Sequence, residues 1–595
     1  MPHPHDFASG VGTKELRSDA LSSATGAVQP KKEGLAMGAP YRHILMIYPE
    51  FPKTYWGMQD ILPVAGKRAL MPPLGLLTIA AMTPAAYELR LIDLNCQPLT
   101  ERDLEWADMV CFSAMLPQKT SLFETASRCK AAGKLVVFGG PLPTACPAEC
   151  QPYADVLVLN EGEVTWPAFL ADLARGTFQR VYSSEEKPDV RQTPIPRFDL
   201  LDIHDYACIP IQFSRGCPFQ CEFCDIIVMF GRRPRTKTPQ QFLAELEAVY
   251  DTGHRGAIFI VDDNFIGNKQ EVKKLLPAMQ AWNKAHGDPF LYYTEATVNL
   301  ADDDELLTHM VACHFREVFL GLETPSLDSL QETKKYQNTK RPLVDAVRVI
   351  QHAGLTVQGG FIIGFDSDEE DIFDRQIEFI RQAAIPYAMV GLLVALPGTP
   401  LYQRLGQAGR LVPLDYDRSL TQSGFTNIVT RLPQKKLLEG YRKIVQTIYT
   451  PSEYFARALE VLCRLPRPQS TGSWIHNTCR AVWYVLSRGV TTKKQQHGGL
   501  WERLLFLYTA YRRMPVPYRR ESVKFLRAVL IKRPDQLERA VGAVFIGTHF
   551  YTFTFGHVLP ELEQRLAQFA REGTESVGLV EARTEHKGPH LRISA

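Results

Sequence analysis

The feature that most restricts this chain is a pattern that occurs twice. Short, almost uninterrupted apolar runs alternate with longer stretches of helical period. Such runs read as strands covered on both faces, the condition of a parallel sheet with helices packed against it. The first set is HILMIY (43–48), ELRLID (88–93), DMVCFS (108–113), KLVVFGG (134–140) and DVLVLN (155–160), with helical stretches such as Thr120 to Ala132 between them. It predicts a doubly wound, Rossmann-like α/β domain over 41–180. Such domains bind ligands at the carboxyl ends of their strands. Ser113, Gly139, Gly140 and Gly162 fall there, and glycines let a bulky ligand approach the backbone. Tight turns alone are the plainer reading of the same glycines.

The second set begins at PIQF (210–213) and continues through AIFIVD (257–262), LYYTEA (291–296), EVFLGLE (317–323), TVQGGFIIGF (356–365) and YAMVGLLVAL (387–396). Six strands with helical crossovers predict six-eighths of a TIM-like β/α barrel over 208–411, with its chemistry in the loops that follow the strands. Between the two sets, 181–207 contains the polar, proline-bearing SEEKPDVRQTPIPRFDLLD and reads as a linker. After Leu411 the strand signal fades, and 412–565 reads as a mostly helical domain, with stretches such as LWERLLFLYTAYRRM (500–514). Residues 1–40, rich in Gly, Ala, Ser and Pro, and 566–595 read as flexible tails.

Composition excludes several classes. A net charge of +2 over 595 residues does not suit a general nucleic-acid binder. Twelve cysteines in so long a chain do not suggest a secreted disulfide scaffold. The expectation is a cytoplasmic protein, with no apolar signal segment near its start. The run Ala540 to Pro560 carries no Asp, Glu, Lys or Arg and reads as a buried helix or an interfacial segment. Thr491 to Ala540 holds an excess of eight positive charges. That excess reads first as a solvated basic face. It is also compatible with peripheral contact at the inner face of an anionic membrane, or with a cover over an apolar substrate.

Cys217, Cys221 and Cys224 lie directly after the first strand of the second set, at C-x3-C-x2-C spacing. A structural zinc takes four protein ligands, usually as two separated pairs, and no second pair at that spacing follows. An iron–sulfur cluster held by three thiolates leaves one iron open to another ligand. CPAEC (146–150) lies in the other domain and reads as turn and core.

With these residues the chain resembles the radical S-adenosylmethionine (SAM) superfamily, in which the open iron of a [4Fe–4S] cluster is chelated by SAM. Phe223, one residue before the last cysteine, fits that motif. The resemblance implies SAM contacts for Asp262 and Asp263 in VDDNF (261–265), for Glu295 in TEA and Glu323 in GLET, and for Gly360 and Gly364 in GGFIIGFDSD (359–368). ALPGTPLY (395–402) is similar to the strand-six motif of the same enzymes. For each acid alone, a solvated strand end or a helix cap is the plainer reading.

The first block resembles the cobalamin-binding domain that precedes the barrel in one large subclass. There Ser113, Gly139, Gly140 and Gly162 would contact cobalamin, and NEGEVT (160–165) fits the subclass. The D-x-H-x-x-G signature of a histidine-ligated cobalt is absent: DLNCQP (93–98) has Asn95 in place of the histidine and Pro98 in place of the glycine. More narrowly, the stretch from Cys224 to Gly253, VDDNFIGNKQ and the helical tail are similar to a branch that includes the hopanoid C-2 methylase and bacteriochlorophyllide side-chain methylases. The resemblance implies a radical enzyme that uses [4Fe–4S], SAM and cobalamin to methylate an unactivated carbon of a large apolar molecule. An electron donor such as flavodoxin or ferredoxin would serve it. Met229, Phe230, Tyr292 and Tyr293 are candidate liners of the barrel, with core packing as the plainer role. The alternatives are a non-methylating rearrangement or cyclisation on the same cofactors and, from another class, a non-catalytic cluster or cobalamin sensor.

Overall fold

The computed structural model describes residues 41–413, 424–467, 508–509 and 511–572. Residues 1–40 and 573–595 of the expected tails, and the first part of LWERLLFLYTAYRRM, lie outside the described residues. The helix Leu559–Glu572 runs past 565, where the second tail was expected to begin. Two six-stranded, all-parallel sheets organise what is described. The first has the order β2-β1-β3-β4-β5-β6. Its strands are β1 (His43–Tyr48), β2 (Glu88–Asp93), β3 (Met109–Ser113), β4 (Leu135–Gly139), β5 (Val156–Val158) and β6 (Val181–Tyr182). Alternate residues feed two cores, as a sheet covered on both faces requires. Leu45, Ile47, Val110, Phe112, Val136 and Phe138 pack on one side. Ile44, Met46, Met109, Cys111 and Val137 pack on the other, in a core that continues without a break into the rest of the molecule.

The sixth strand corrects the expected linker. Val181 and Tyr182 pair with Leu157 and Val158, and Phe198 and Ile203 further along are buried in the large core. The segment is packed structure, not a free tether.

The second sheet has the order β14-β13-β12-β11-β10-β7, built from β7 (Cys208–Ile211), β10 (Ala257–Ile260), β11 (Leu291–Ala296), β12 (Phe315–Glu323), β13 (Thr356–Ile363) and β14 (Tyr387–Leu392). A short antiparallel hairpin, β8 (Ser214–Arg215) with β9 (Arg235–Thr236), frames the cysteine loop. Along β11, Tyr292, Thr294 and Ala296 are buried, and Leu291, Tyr293 and Glu295 are only partly so. The buried set packs under the outer helices. The partly exposed set faces the concave side of an open barrel, and Tyr292 takes the plainer of its two expected roles, core packing.

An open barrel leaves the carbonyls of its last strand without partners, and a buried unpaired carbonyl costs about 1–3 kcal/mol. The C-terminal helices supply donors. The hydroxyl of Tyr441 donates to the Val390 carbonyl at 3.2 Å, that of Tyr449 to the Ala388 carbonyl, and Arg457 Nε to the Ile385 carbonyl at 2.9 Å. The helix Leu537–Phe553 then closes over this seam. Its Arg539 hooks the carbonyls of Arg316 and Gly354. The uncharged run from Ala540 is therefore a buried helix, not an interfacial one: Tyr55 stacks on Tyr449 and meets Phe550 and Phe553. No helix among the described residues is long and apolar enough to cross a membrane.

Tyr55 belongs to the long β1-to-helix connection of the first domain. Its hydroxyl lies 2.6 Å from Thr554 Oγ1. Nearby, His549 places Nδ1 at 3.1 Å from Asp60 and Nε2 at 3.0 Å from the Thr54 carbonyl. We expect Tyr449→Phe combined with Tyr441→Phe to lower the thermal midpoint of the whole chain. In hydrogen exchange, the same pair should cost β14 more protection than β11. Equal loss in both strands would rule out a specific role at the open edge.

Candidate active site

The three cysteines sit where the first barrel strand ends. Cys221 is buried, and Cys217 and Cys224 are partly so. Burial raises the Cys217 thiol and pushes that of Cys224 up to about 12. Among the described residues, no three His, Cys, Asp or Glu side chains converge as ligands of a single metal ion. Three thiols on one loop suit a multi-iron cluster in which three irons each take one thiolate and the fourth is left open.

The loop is fastened on every side. Asp262, buried at 1 % exposure, accepts from the Phe213 amide at 2.7 Å and from Ser214 Oγ at 2.6 Å. Asp263 accepts from the Gly216 amide at 2.8 Å. Gly216 itself has φ +92° and no space for a Cβ, which would meet three carbonyls at 3.0–3.2 Å. Between the cysteines, the Glu222 amide donates to the Thr333 carbonyl. The Glu222 carboxylate takes both Nε and Nη2 of Arg404, at 2.9 and 3.0 Å. Arg404 comes from the helix Pro400–Gln407, which begins within the expected strand-six motif ALPGTPLY.

A segment that the sequence reading did not single out completes the cradle. Gln337 Nε2 lies 3.3 Å from Cys221 Sγ, and its buried Oε1 has no partner among the described residues. Asn338 anchors this turn by donating to the carbonyls of Gly321 and Leu322. Lys335 donates to Glu323 at 2.6 Å and lies 5.7 Å from the Phe223 ring centroid. Nothing local in TKKYQN signals this role; it follows from the turn's return to the end of β12. An amide N–H directed at sulfur, with its oxygen left unpaired, suits an iron-bound thiolate, which can only accept.

The other expected site residues divide into groups. Glu295 faces the concave side of the barrel and has no hydrogen-bond partner among the described residues; burial, then the neighbouring Asp263, raises its carboxyl to about 7. It is free to take a donor or a cation. Asp262 holds the loop with both carboxylate oxygens, one accepting from the Phe213 amide and the other from Ser214 Oγ. Glu323 stands at φ +63° and is committed to Lys335. Gly360 makes room for a ring: a Cβ there would meet Phe319 Cζ at 2.7 Å. Gly364, at φ +97°, forms a turn whose amide donates to Asp368 at 2.8 Å. Phe223 packs 6.2 Å from Phe365. The concave wall is aromatic: Phe259 stacks on Tyr293 with centroids 4.6 Å apart, and Trp56 meets Phe319 edge-on at 5.0 Å.

In the first domain, Ser113, Gly139, Gly140 and Gly162 lie at the carboxyl ends of the strands or at the start of the next helix, all partly exposed. Gly140 has φ +91°, and a Cβ there would meet Ser113 Oγ at 2.5 Å. Asn95 is occupied internally: it accepts from the Phe51 amide at 2.9 Å and donates to Asp93 at 2.6 Å and to the Pro49 carbonyl at 3.2 Å. These glycine-lined strand ends suit a large flat ligand held without a ligating side chain at position 95.

The two strand-end faces are joined by buried charge. Glu161, just beyond β5, accepts from Arg215 Nη1 at 3.0 Å and from Arg235 Nη2 at 2.8 Å, with its side chain 2 % exposed. Glu163 adds a contact to Arg215 at 2.7 Å. Both arginines belong to the hairpin that frames the cysteine loop. Burial alone would raise the Glu163 carboxyl; Arg215 overcomes it and holds the group below its ordinary range. A depressed carboxylate adds stability above its unfolded pKa and loses it as pH falls through the folded one. We therefore expect the junction to weaken only in acid, below the ordinary carboxylate range, and limited proteolysis across about pH 3–7 in the region of 183–189 would check it. Glu161→Ala should open the same region at neutral pH, since removing one partner of a buried ion pair costs about 3–5 kcal/mol. Unchanged cleavage would dismiss the clamp.

Comparison with known proteins adds three findings. The chain matches the B12 binding domain family over residues 64–170, the Radical SAM superfamily over 211–380 and a domain of unknown function over 399–558. It is 45% identical over 427 residues to an uncharacterized methyltransferase of Synechocystis sp. (71% of this chain, 79% of that one). It is 36% identical over 425 residues to the hopanoid C-2 methylase of Rhodopseudomonas palustris, with the same coverage of 71% and 79%. Among solved structures it shares the fold of the radical S-adenosylmethionine methyltransferase TsrM from Kitasatospora setae, with TM-score 0.56 and 14% identity, covering 79% of this chain and 99% of that one. It also shares the fold of the cobalamin-dependent radical enzyme OxsB, with TM-score 0.54, 14% identity and coverage of 89% and 84%.

Proposed function

Because this chain belongs to the cobalamin-binding radical SAM methyltransferases, we propose that it methylates an unactivated carbon of a large, apolar, ring-bearing molecule, with Cys217, Cys221 and Cys224 as the ligands of its [4Fe–4S] cluster. The observation that carries this reading is the meeting of two carboxyl ends: the cysteine loop of the barrel and the glycine-lined end of the first sheet, joined through Glu161. When bound, the cluster with SAM supplies hydrogen abstraction from carbon, and cobalamin supplies the methyl group.

The chain's own residues bind and orient. Asp262, Asp263 and Arg404 hold the cysteine loop in place through the contacts described above. Glu295, whose carboxyl faces the concave side without a partner among the described residues, would receive the ammonium group of SAM. Glu323 acts through Lys335 and is a positioning residue. Ser113, Gly139, Gly140 and Gly162 would form the surface for cobalamin, while Asn95 is engaged with Phe51, Asp93 and Pro49. Phe259, Tyr293, Phe319 and Trp56 give the lumen an apolar wall that excludes water and fits rings. The polar pair Glu317 and Gln358 interrupts that wall. Methylation of hopanoids belongs to the relative; here it supports the class of substrate, a polycyclic apolar molecule.

The test is anaerobic reconstitution with methyl-labelled SAM and a panel of polycyclic lipids and tetrapyrroles. Label in the product, together with 5′-deoxyadenosine, is the expected result; 5′-deoxyadenosine without label would replace methylation by a rearrangement. Each of Cys217→Ala, Cys221→Ala and Cys224→Ala should abolish the brown absorbance and reduce bound iron to background. Glu295→Gln should weaken SAM binding about tenfold or more, as expected for loss of one charge-assisted hydrogen bond, with iron content unchanged. Full SAM affinity in that variant would remove Glu295 from the site.

A further inference from the structure

We infer that the turn Thr333–Arg341 is the docking surface for the protein that delivers electrons, a small acidic one-electron carrier. The inference rests on the assignment of the cluster to the three cysteines. The turn has two sides. Inward, Gln337 reaches Cys221 Sγ at 3.3 Å, and the Thr333 carbonyl accepts from the Glu222 amide at 2.9 Å, inside the cysteine loop. Outward, the adjacent side chain, Tyr336, is 48 % exposed. One residue therefore separates the protein surface from a group in contact with a cluster thiolate. On other sides the cysteine loop is backed by Arg404 and the β8–β9 hairpin, and it also reaches the surface itself at Gln220 and Val228.

The surface has the composition of a docking site for an acidic partner. Tyr336 and Leu327, on the adjoining helix Leu327–Glu332, are large exposed apolar side chains. Lys334 and Lys340 flank Tyr336, both exposed, and neither has an ion-pair partner among the described residues. The neighbouring acids are engaged with the protein itself. Glu323 holds Lys335, Asp302 holds Arg341, and Glu332 accepts from the amides of Asp366 and Ser367. Asp328 is the exposed acid left on the adjoining helix. Aromatic anchors inside a charged rim give a short-lived, oriented encounter, and unpaired surface charge steers its rate. The step is a single electron transfer: the carrier loses one electron, the cluster gains it, and no bond or proton changes.

The experiment uses the full chain with its reconstituted cluster, photoreduced flavodoxin as the donor and stopped-flow bleaching of the cluster absorbance as the readout. Lys334→Glu combined with Lys340→Glu should slow the second-order reduction about tenfold or more at low salt and flatten its ionic-strength dependence. Tyr336→Ala should slow it without changing the salt slope. Lys284→Glu, an exposed change on the helix Lys269–Ala285, is the control and should match the unaltered chain. Dithionite should reduce every variant to the same extent, with equal iron content. Equal flavodoxin rates in the double variant and the control would overturn the proposal. Absence of cluster absorbance in the unaltered chain would instead overturn the cluster assignment beneath it.

Discussion

One carboxylate between two guanidiniums, sealed from water, sets the distance between the two cofactor faces of this protein. Glu161 ends a strand of the first sheet; Arg215 and Arg235 begin and end the hairpin around the cysteines. Desolvating three charges is unfavourable unless their geometry is tight and their remaining donors are satisfied. Arg235 also donates to the carbonyls of Pro188 and Phe230, its Nε staying without a partner among the described residues, and Arg215 to Gln212 and Glu163. The network therefore couples the interdomain distance to the shape of the cysteine loop. With the two cofactors held on these two faces, a rigid junction here would keep their spacing fixed where a flexible linker would not.

The same economy of donors explains the C-terminal domain. An arc of six parallel strands has two open edges, and the last one lies against helices that carry Tyr441, Tyr449 and Arg457. Side chains complete what two further strands would have supplied. This ties the stability of the barrel to helices far along the chain.

The strands were legible because each is covered on both faces, which writes an apolar run into the sequence. β6 was not: two residues, Val181 and Tyr182, in a polar and proline-rich segment carry too little pattern. The cysteine loop was legible from spacing alone. The residues that fasten it were less so. Asp262 was expected to contact SAM; that its carboxylate also holds the Phe213 amide and Ser214 was not legible, because an acid after a strand looks the same in sequence whether it points inward or back along the loop. Gln337 was missed because its partner lies 116 residues away. The tyrosine seam at β14 was invisible for the same reason. The uncharged run after Ala540 was read as buried or interfacial, and only packing against Tyr55 and Tyr449 separates those two.

The contact between Tyr55 and Thr554 spans 499 residues. During synthesis the first domain and the barrel strands leave the ribosome long before that helix does, at about 5–20 residues per second. For tens of seconds the nascent barrel has its loop and its concave wall in place and its flank uncovered. The helix Leu537–Phe553 is thus hung on a barrel whose strands are already made, and its flank is sealed only then.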